Sequence, residues 1–273
     1  MVLREHTKRL FVVGANSAVG QLLRAVWPDS QATWCARAGA VDAHWDLREG
    51  PHALAARIDD ASHVLCLAGA TPGAQRFDIN TELAQACVKA AQIGGCARVF
   101  LASSMAVYGA GTTAFDEGAP LAPLGAYGAS KAAMEQACLN HAVPSITALR
   151  LGNVVGADQL FRNIQAGAPI TLDCFADGTT PRRSYIDPTR LAQVLCQLMD
   201  HVTLPPVLNV AAAPAAAMGD LADAAGIAWA RRPAPPTALP VAEMALTRLF
   251  QRTGPLEADA QALVDGWRAA ISK

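Results

Sequence analysis

Short apolar runs alternate with segments of helical periodicity through the first 156 residues, and this alternation constrains the fold more than any other feature. The apolar runs at 9–13, 31–37, 63–69, 98–104 and the start of 145–156 predict strands, and the stretches 18–26, 46–58, 80–95 and 127–141 predict helices. The helix within 46–58 is expected to be broken near its start by Pro51. Strands that alternate with helices indicate an α/β fold with a doubly wound parallel sheet. Continuously apolar strands such as "RVFLA" fit a sheet that is buried on both faces.

The pattern changes after residue 156. Residues 169–199 are predicted to form a strand, a Gly/Thr-rich turn, a second strand and a helix, and residues 207–226 a strand and an Ala-rich helix. A proline-rich stretch at 230–240 predicts a surface loop, with a linker as the alternative. The apolar residues of 241–254 and 257–271 recur every three or four positions, which predicts helices packed on the main body.

Composition and charge argue against several classes of protein. Hydrophobic residues make up 52% of the chain and the formal net charge is -1, so we expect a substantial core and no basic surface for nucleic acid or an anionic membrane. No apolar run reaches the ~20 residues that cross a bilayer, and "LFVV" is too short for the core of a secretory signal. The seven cysteines lack metal-ligand spacing, which predicts no metal, reduced thiols and a cytoplasmic location.

The loop after the first strand, "VVGANSAVG", resembles a nucleotide-binding turn. Gly14 would let the chain turn sharply, Gly20 would let the next helix pack closely on the sheet, and Ser17 stands where a middle glycine is usual. The helix N-terminus would offer free N–H groups to a pyrophosphate. A glycine turn before an ordinary helix is the alternative. The candidate phosphate contacts are Gly14, Asn16, Ser17, Ala18, Val19 and Gly20.

The ends of the second and third predicted strands bear on which dinucleotide would bind. An acidic residue after strand two would favour the ribose hydroxyl of NAD, but "TWCARAG" offers Arg37, which suits the 2′-phosphate of NADP. We therefore expect NADP(H) to be favoured, with NAD(H) possible and a solvated Arg37 as the alternative. Asp46, followed by Leu47, could accept a hydrogen bond from the adenine amino group or could cap the next helix.

Tyr127 and Lys131 lie four residues apart, so on a helix they share a face. A free phenol has a pKa of about 10, and an ammonium close to it would lower that pKa. The pair could then exchange a proton with a substrate while a hydride moves. A tyrosine and a lysine on a helix surface are the ordinary alternative. Upstream, "VFLASSMAVYG" ends a strand in Ser103-Ser104, and a serine at that end of a parallel strand faces the ligand crevice.

Together these motifs resemble the extended short-chain dehydrogenases/reductases, the NAD-dependent epimerase/dehydratase family. The matching pieces cover most of the first 215 residues and are the Gly14–Gly20 loop, Asp46-Leu47, "LAGA" (67–70), Asn80, "SSMAVYG" (103–109), "YGASK" (127–131), "RLGNVVG" (150–156), "RRSYIDPTRLA" (182–192) and "LNVA" (208–211). In combination they are far more specific than any one of them.

The resemblance implies a role for each matching position. Tyr127 would be the acid/base, Lys131 would bind the nicotinamide ribose, and Ser104 would hold the reacting oxygen, with Ser103 a weaker candidate. Asn153 and Arg183 would contact a nucleotide diphosphate; a turn residue and a salt-bridged surface group are the alternatives. The other implied contacts are Leu67, Ala68 and Gly69 for the cofactor and Met105 for the substrate.

The residues after Ser104 narrow the reaction. Relatives that dehydrate a sugar carry an Asp-Glu pair where this chain has Met105 and Ala106, neither of which can move a proton. We therefore expect an oxidoreductase or epimerase that transfers a hydride at a carbinol or ketone carbon of a nucleotide sugar or similar small substrate. The alternatives are a reductase of a small non-sugar ketone and a non-catalytic NADP-binding sensor.

The resemblance also implies the organisation of the chain. Residues 1–155 and 185–212 would form a Rossmann-type NAD(P)-binding domain, and residues 156–184 and 213–273 a small, interleaved substrate-binding lobe towards the C-terminus. It implies a homodimer formed through two helices of each subunit, including 127–141.

Overall fold

A computed structural model describes residues 9–28, 32–58, 61–111, 113–139 and 144–272, and all that follows concerns these residues. The strands are β1 Leu10–Val13, β2 Ala32–Ala36, β3 Ala43–His44, β4 His63–Cys66, β5 Arg98–Ser104, β6 Ser145–Leu151, β7 Asn153–Val154, β8 Ile170–Cys174, β9 Arg182–Arg183, β10 Tyr185–Ile186, β11 Val207–Val210, β12 Ala216–Ala217, β13 Trp229–Pro233 and β14 Val241–Ala242. The helices are α1 Ala18–Val26, α2 Gly50–Ala55, α3 Ile79–Ile93, α4 Ala126–Cys138, α5 Gln159–Gln165, α6 Pro188–Asp200, α7 Met218–Ala224, α8 Thr247–Thr253 and α9 Ala260–Ile271.

A seven-stranded parallel sheet forms the centre of the molecule, in the order β11-β6-β5-β4-β1-β2-β3. The direction in which strands are added reverses between β1 and β4, which is where ligands bind in open sheets of this kind. The predicted α/β fold of Rossmann type is confirmed. Short two- and three-stranded sheets, β10-β7, β12-β9-β14 and β13-β8, stand beside the central one.

The sheet is buried on both faces because its strands are apolar on both. In β1, Leu10 and Val12 belong to one hydrophobic cluster, whereas Phe11 and Val13 belong to another, as the two-residue period of a strand requires. A third cluster joins Phe161 of α5 and residues of α7 and α9 to Leu22 of α1.

The sequence predictions agree with most elements of the first half, including the break near the start of the helix within 46–58. That break falls at Gly50, whose φ of +76° lies in the left-handed region, and it separates a 3₁₀ turn (Leu47–Glu49) from α2. The helix expected over 241–254 is wrong in its first half. Residues 241–242 pair with β9 and Phe115 bridges to Met244, so the helix begins only at Thr247.

Two further expectations concern the proline-rich stretch and the C-terminal end of α4. The loop predicted at 230–240 is partly a strand, because β13 runs to Pro233 beside β8. The last residues of the helix predicted over 127–141 lie outside the described residues, where α4 extends to Cys138. Among the described residues no helix is long and apolar enough to cross a bilayer, and no group of three or more acidic, His or Cys side chains could hold a metal ion.

Candidate active site

Ser104 and Tyr127 meet at the carboxyl end of the central sheet. Ser104 is the last residue of β5, and its hydroxyl accepts the N–H of Ala106 at 3.2 Å and lies within reach of the Tyr127 phenol. Gly128 allows the start of α4 to lie close to the turn after β5. A Cβ at that position would lie 2.3 Å from the Ala106 carbonyl oxygen, so only a glycine lets α4 pack this closely on the turn after β5. The sequence analysis did not assign this role to Gly128.

Lys131 lies one helical turn after Tyr127 and is buried. Its Nζ is 6.0 Å from the centre of the Tyr127 ring and donates to the carbonyl oxygen of Ala102 at 2.7 Å. Burial lowers the pKa of Lys131 below 10.5, and the neighbouring Cys66 and Glu135 side chains oppose that shift. The structure therefore brings the three residues Ser104, Tyr127 and Lys131 together.

The phenol of Tyr127 is less acidic than the sequence analysis expected. Burial raises its pKa above 10, and the hydrogen bond from Ser104 opposes that rise. The expected lowering by Lys131 is absent from this arrangement, because desolvation dominates and the lysine directs a hydrogen bond to a backbone carbonyl.

Ser103 points away from the phenol. It is 3% exposed, and its hydroxyl donates to the carboxylate of Glu135 on α4. Glu135 is also paired with the buried Arg150 of β6 at 2.6 Å. This contact leaves Ser104 as the serine beside Tyr127.

Asn80 fixes the loop after β4 against α4. Its side-chain oxygen accepts the N–H of Ala70 at 2.8 Å and its amide donates to Ser130 at 2.8 Å, while Ser130 donates to the carbonyl oxygen of Tyr127. Asn80 is 1% exposed, so these bonds hold the "LAGA" loop and the start of α4 in one arrangement. The sequence marked Asn80 only as part of the family resemblance.

A cleft of about 1170 Å³ opens beside these residues, at the ends of β1, β2 and β4. Gly14 turns the chain there with a φ of +101°, and a Cβ on it would lie 2.4 Å from the backbone nitrogen of Ala68. Ser17 caps α1 by accepting the N–H of Gly20 at 3.0 Å. The cleft is lined by Gly14, Asn16, Ser17, Arg37, Asp46, Leu47, Ala68 and Gly69 among the predicted cofactor residues, whereas Ala18, Val19, Gly20, Leu67, Tyr127 and Lys131 lie outside its wall.

Arg37 and Asp46 both line this cleft, but they differ in their side-chain contacts. Arg37 is exposed, and no hydrogen bond or ion pair joins it to the described part of the chain. Asp46 caps the 3₁₀ turn that follows it and pairs with Arg48 at 2.7 Å, and the Arg48 hydrogen bonds lower the pKa of Asp46 to about 2. Of the two interpretations of Asp46, capping is observed. Arg48 and Arg76 also line the cleft, and the sequence analysis missed both.

Asn153, Arg183 and Met105 do not line this cleft. Asn153 lies opposite Tyr185 in the β7–β10 pair, and the Tyr185 hydroxyl donates to Asp158 at 3.0 Å. Arg183 donates to the carbonyl oxygens of Leu239 and Pro240, at 2.8 and 3.3 Å. Met105 begins the turn after β5 and packs against the core.

The family model of the NAD dependent epimerase/dehydratase family matches residues 11–211. The chain belongs to this family. Its members named by the comparisons are enzymes of the extended short-chain dehydrogenase/reductase type, in agreement with the motifs. A comparison with curated protein sequences returned no match.

Solved structures share the fold over nearly the whole chain. A UDP-glucose-4-epimerase from Stenotrophomonas maltophila with bound NAD has a TM-score of 0.79 and 18% identity, covering 97% of this chain and 98% of its own. MoeE5 in complex with UDP-glucose and NAD has a TM-score of 0.77 and 21% identity, covering 97% and 99%. WbmG from Bordetella bronchiseptica in complex with NAD has a TM-score of 0.77 and 18% identity, covering 100% and 96%.

The cleft fits a nicotinamide dinucleotide in size and chemistry. Its volume exceeds the ~300–1,000 Å³ usual for small-molecule pockets, so an extended ligand can be accommodated. Its wall includes the tight Gly14 turn and the capped start of α1, where backbone N–H groups favour a phosphate. The residues that would hold the dinucleotide are therefore present.

Proposed function

We propose that the protein is an NAD(P)-dependent oxidoreductase or epimerase that transfers a hydride at a carbinol or ketone carbon of a nucleotide sugar or a similar small substrate. The placement of Ser104 beside the Tyr127 phenol, with the Lys131 ammonium 6.0 Å from the Tyr127 ring, carries this proposal. Family membership and the dinucleotide cleft support it.

Each of the three residues has a distinct part in the reaction. The bound dinucleotide supplies the hydride acceptor or donor. When a carbinol is oxidised, Tyr127 takes the hydroxyl proton as the C–H bond breaks, and it returns that proton when the ketone is reduced. Ser104 hydrogen-bonds the same oxygen and holds it beside the phenol. Lys131 would hold the nicotinamide ribose, and once cofactor and substrate are bound its charge would favour the phenolate.

A dehydratase reaction is disfavoured because Met105 and Ala106 have no acid or base to offer. That leaves two reactions. A reductase or dehydrogenase would exchange its cofactor in each turnover, whereas a 4-epimerase would oxidise one carbon, turn the intermediate over and reduce it again.

A nucleotide diphosphate is the best-supported substrate group. Arg183 is partly buried with backbone carbonyls as its hydrogen-bond partners, and burial lowers its pKa, so an anionic group would supply the counter-charge it lacks there. Asn153 would lie beside that group. MoeE5 was solved with UDP-glucose, and WbmG with UDP. We propose that residues 156–184 and 213–273 form the substrate lobe and that the active form is a cytoplasmic homodimer.

The substitution Tyr127→Phe tests the catalytic assignment. We expect at least a 10²-fold loss of kcat, because the proton donor is removed, with unchanged cofactor affinity. The measurement is the separation of sugar epimers for an epimerase and nicotinamide absorbance for a reductase, with UDP-glucose as the first substrate, followed by other nucleotide sugars and by ketones. The cofactor affinity and the thermal stability of Tyr127→Phe, both of which should match the wild type, are the controls. Full activity of Tyr127→Phe would contradict the proposal, and an inactive wild type that binds cofactor would favour the sensor.

The choice between NAD and NADP rests on Arg37. We propose that NADP(H) is preferred, because an exposed guanidinium at the end of β2 suits a 2′-phosphate. Arg37→Ala should weaken NADPH binding about 10-fold or more and leave NADH binding unchanged. Arg76→Ala, whose guanidinium is already paired with Asp78 and Glu82, is the control and should keep the preference.

Identification of any dinucleotide released on denaturation distinguishes the two reactions. Tightly held NAD would favour an epimerase and would contradict the interpretation of Arg37. A protein that purifies empty and prefers NADPH would favour a reductase.

A further inference from the structure

A buried ion pair lies beneath the proposed catalytic residues and has no part in the mechanism above. Glu135 of α4 accepts hydrogen bonds from Arg150 Nη2 at 2.6 Å and from Arg150 Nε at 3.1 and 3.2 Å, and also from the Ser103 hydroxyl. The two charged side chains are 3% and 5% exposed. Arg150 is held in turn by the Tyr108 hydroxyl at 2.9 Å. The carboxylate is therefore fixed from both β5 and β6.

The position of Glu135 on α4 relates this pair to the reaction. Tyr127, Lys131 and Glu135 follow one another at intervals of four residues, so they share one face of the helix. Lys131 is 5% exposed, and the groups around its Nζ are the Ala102 carbonyl, Cys66 of β4, Tyr127 and Glu135. The carboxylate of Glu135 and the thiol of Cys66 are the acidic groups among them that favour its charged form.

We propose that Glu135 is a positioning residue for the catalytic pair, whose carboxylate, oriented by Arg150 and Ser103, holds Lys131 in its charged form one helical turn from Tyr127. The inference rests on the proposed function for the part that Lys131 plays in the reaction. The effect of Glu135 on the charge of Lys131 is measurable without any turnover. A buried ammonium loses solvation and tends to release its proton, and a negative charge one helical turn away opposes that release.

The small number of lysines permits a direct test. The chain has four lysines, at 8, 89, 131 and 273, so NMR of the full protein with ¹³C-labelled lysine resolves each side chain, and Lys131→Met assigns the signal of Lys131. In Glu135→Gln we expect the titration midpoint of Lys131 to fall by about one pH unit or more, because the carboxylate is lost and Arg150 keeps its charge. Glu135→Asp, which keeps the negative charge, should have a Lys131 titration midpoint close to that of the wild type.

Asp187→Asn is the matched control. Asp187 is a fully buried carboxylate paired with Arg190 on α6, so its loss should cost stability without moving the Lys131 midpoint. If Glu135→Gln does not fold, the double variant Glu135→Gln/Arg150→Gln replaces it. In the double variant we expect the Lys131 titration midpoint to fall by less than in the single variant.

An unchanged or raised midpoint in the folded variants would overturn the inference and would leave the proposed function intact. Conversely, a wild type without activity would contradict the proposed function while the Lys131 titration could still be measured. In the active enzyme, Glu135→Gln should lose activity at a lower alkaline pH than the wild type. If the alkaline limb of the pH–activity profile does not shift, that result would also count against the role of Glu135.

Discussion

At the scale of single residues, burial has more influence on the proton affinity of Tyr127 and Lys131 than pairing does. It raises the pKa of Tyr127 and lowers that of Lys131, so the phenol holds its proton and the lysine is closer to losing one than either would be in water. Any further acidity of the phenol must come from groups added when cofactor and substrate bind. The positions of the acid/base pair follow from sequence spacing, but its proton affinities depend on the surrounding packing.

Asp158 offers a test of the same effect away from the proposed reaction. Burial raises its pKa from 3.8 to about 6, although it caps α5 and accepts a hydrogen bond from Tyr185. Because the folded protein holds this proton more tightly than the unfolded chain, stability contributed by the protonated form is lost as pH rises from about 4 through about 6.

We therefore expect Asp158→Asn, which can keep both hydrogen bonds, to be more stable than the wild type at pH 8 by up to about 3 kcal/mol, with the difference vanishing near pH 4. Thermal unfolding followed by circular dichroism across this pH range provides the measurement. A wild type that is more stable than the variant at pH 8 would show that the carboxylate is not disfavoured there.

At the scale of elements, the first helix is the clearest case of local sequence deciding local structure. Ser17 precedes α1 and caps it, and Gly20 packs against Gly14, where a Cβ would lie 2.4 Å from the Gly14 carbonyl oxygen. Ser17 therefore replaces the usual middle glycine without losing the helix start. The cap at Ser17 and the close packing of Gly20 on Gly14 both depend only on residues 14–20. This explains why the sequence predicted α1 at its observed ends.

Substitutions at Ser17 should separate capping from backbone freedom. Ser17→Ala removes the cap and should cost about 1 kcal/mol of unfolding free energy, whereas Ser17→Gly, which restores the usual residue, should cost only a few tenths. Urea denaturation of both variants provides the comparison. Equal losses in the two would mean that the serine hydroxyl does not stabilise α1.

At the scale of the whole molecule, Asn209 joins parts of the chain that are far apart in sequence. This buried residue of β11 accepts a hydrogen bond from Tyr108 at 2.6 Å and donates to the carbonyl oxygens of Phe115 and Ala245, at 2.9 and 3.1 Å. Its backbone N–H binds Glu117 at 3.0 Å. The loop after β5 and the segment before α8 are thus anchored to the sheet by one side chain.

Asn209→Leu should destabilise the protein by about 3 kcal/mol or more, because three hydrogen bonds are lost and the buried carbonyl oxygens stay unpaired. Hydrogen exchange should quicken at residues 113–117 and 242–248 and remain unchanged in α3. A loss below about 1 kcal/mol, or a uniform rise in exchange, would show that the anchoring lies elsewhere.

The sequence by itself determined the parallel sheet, the nucleotide loop and the candidates Ser104, Tyr127 and Lys131. These depend on apolar periodicity, glycine geometry and i, i+4 spacing, all of which act over a few residues. Only the tertiary structure decided that Ser103 binds Glu135, that residues 241–242 form a strand, and that Gly128 lets α4 pack against the site. Each of these depends on burial or on a partner brought close by packing, and local periodicity carries no information about such partners.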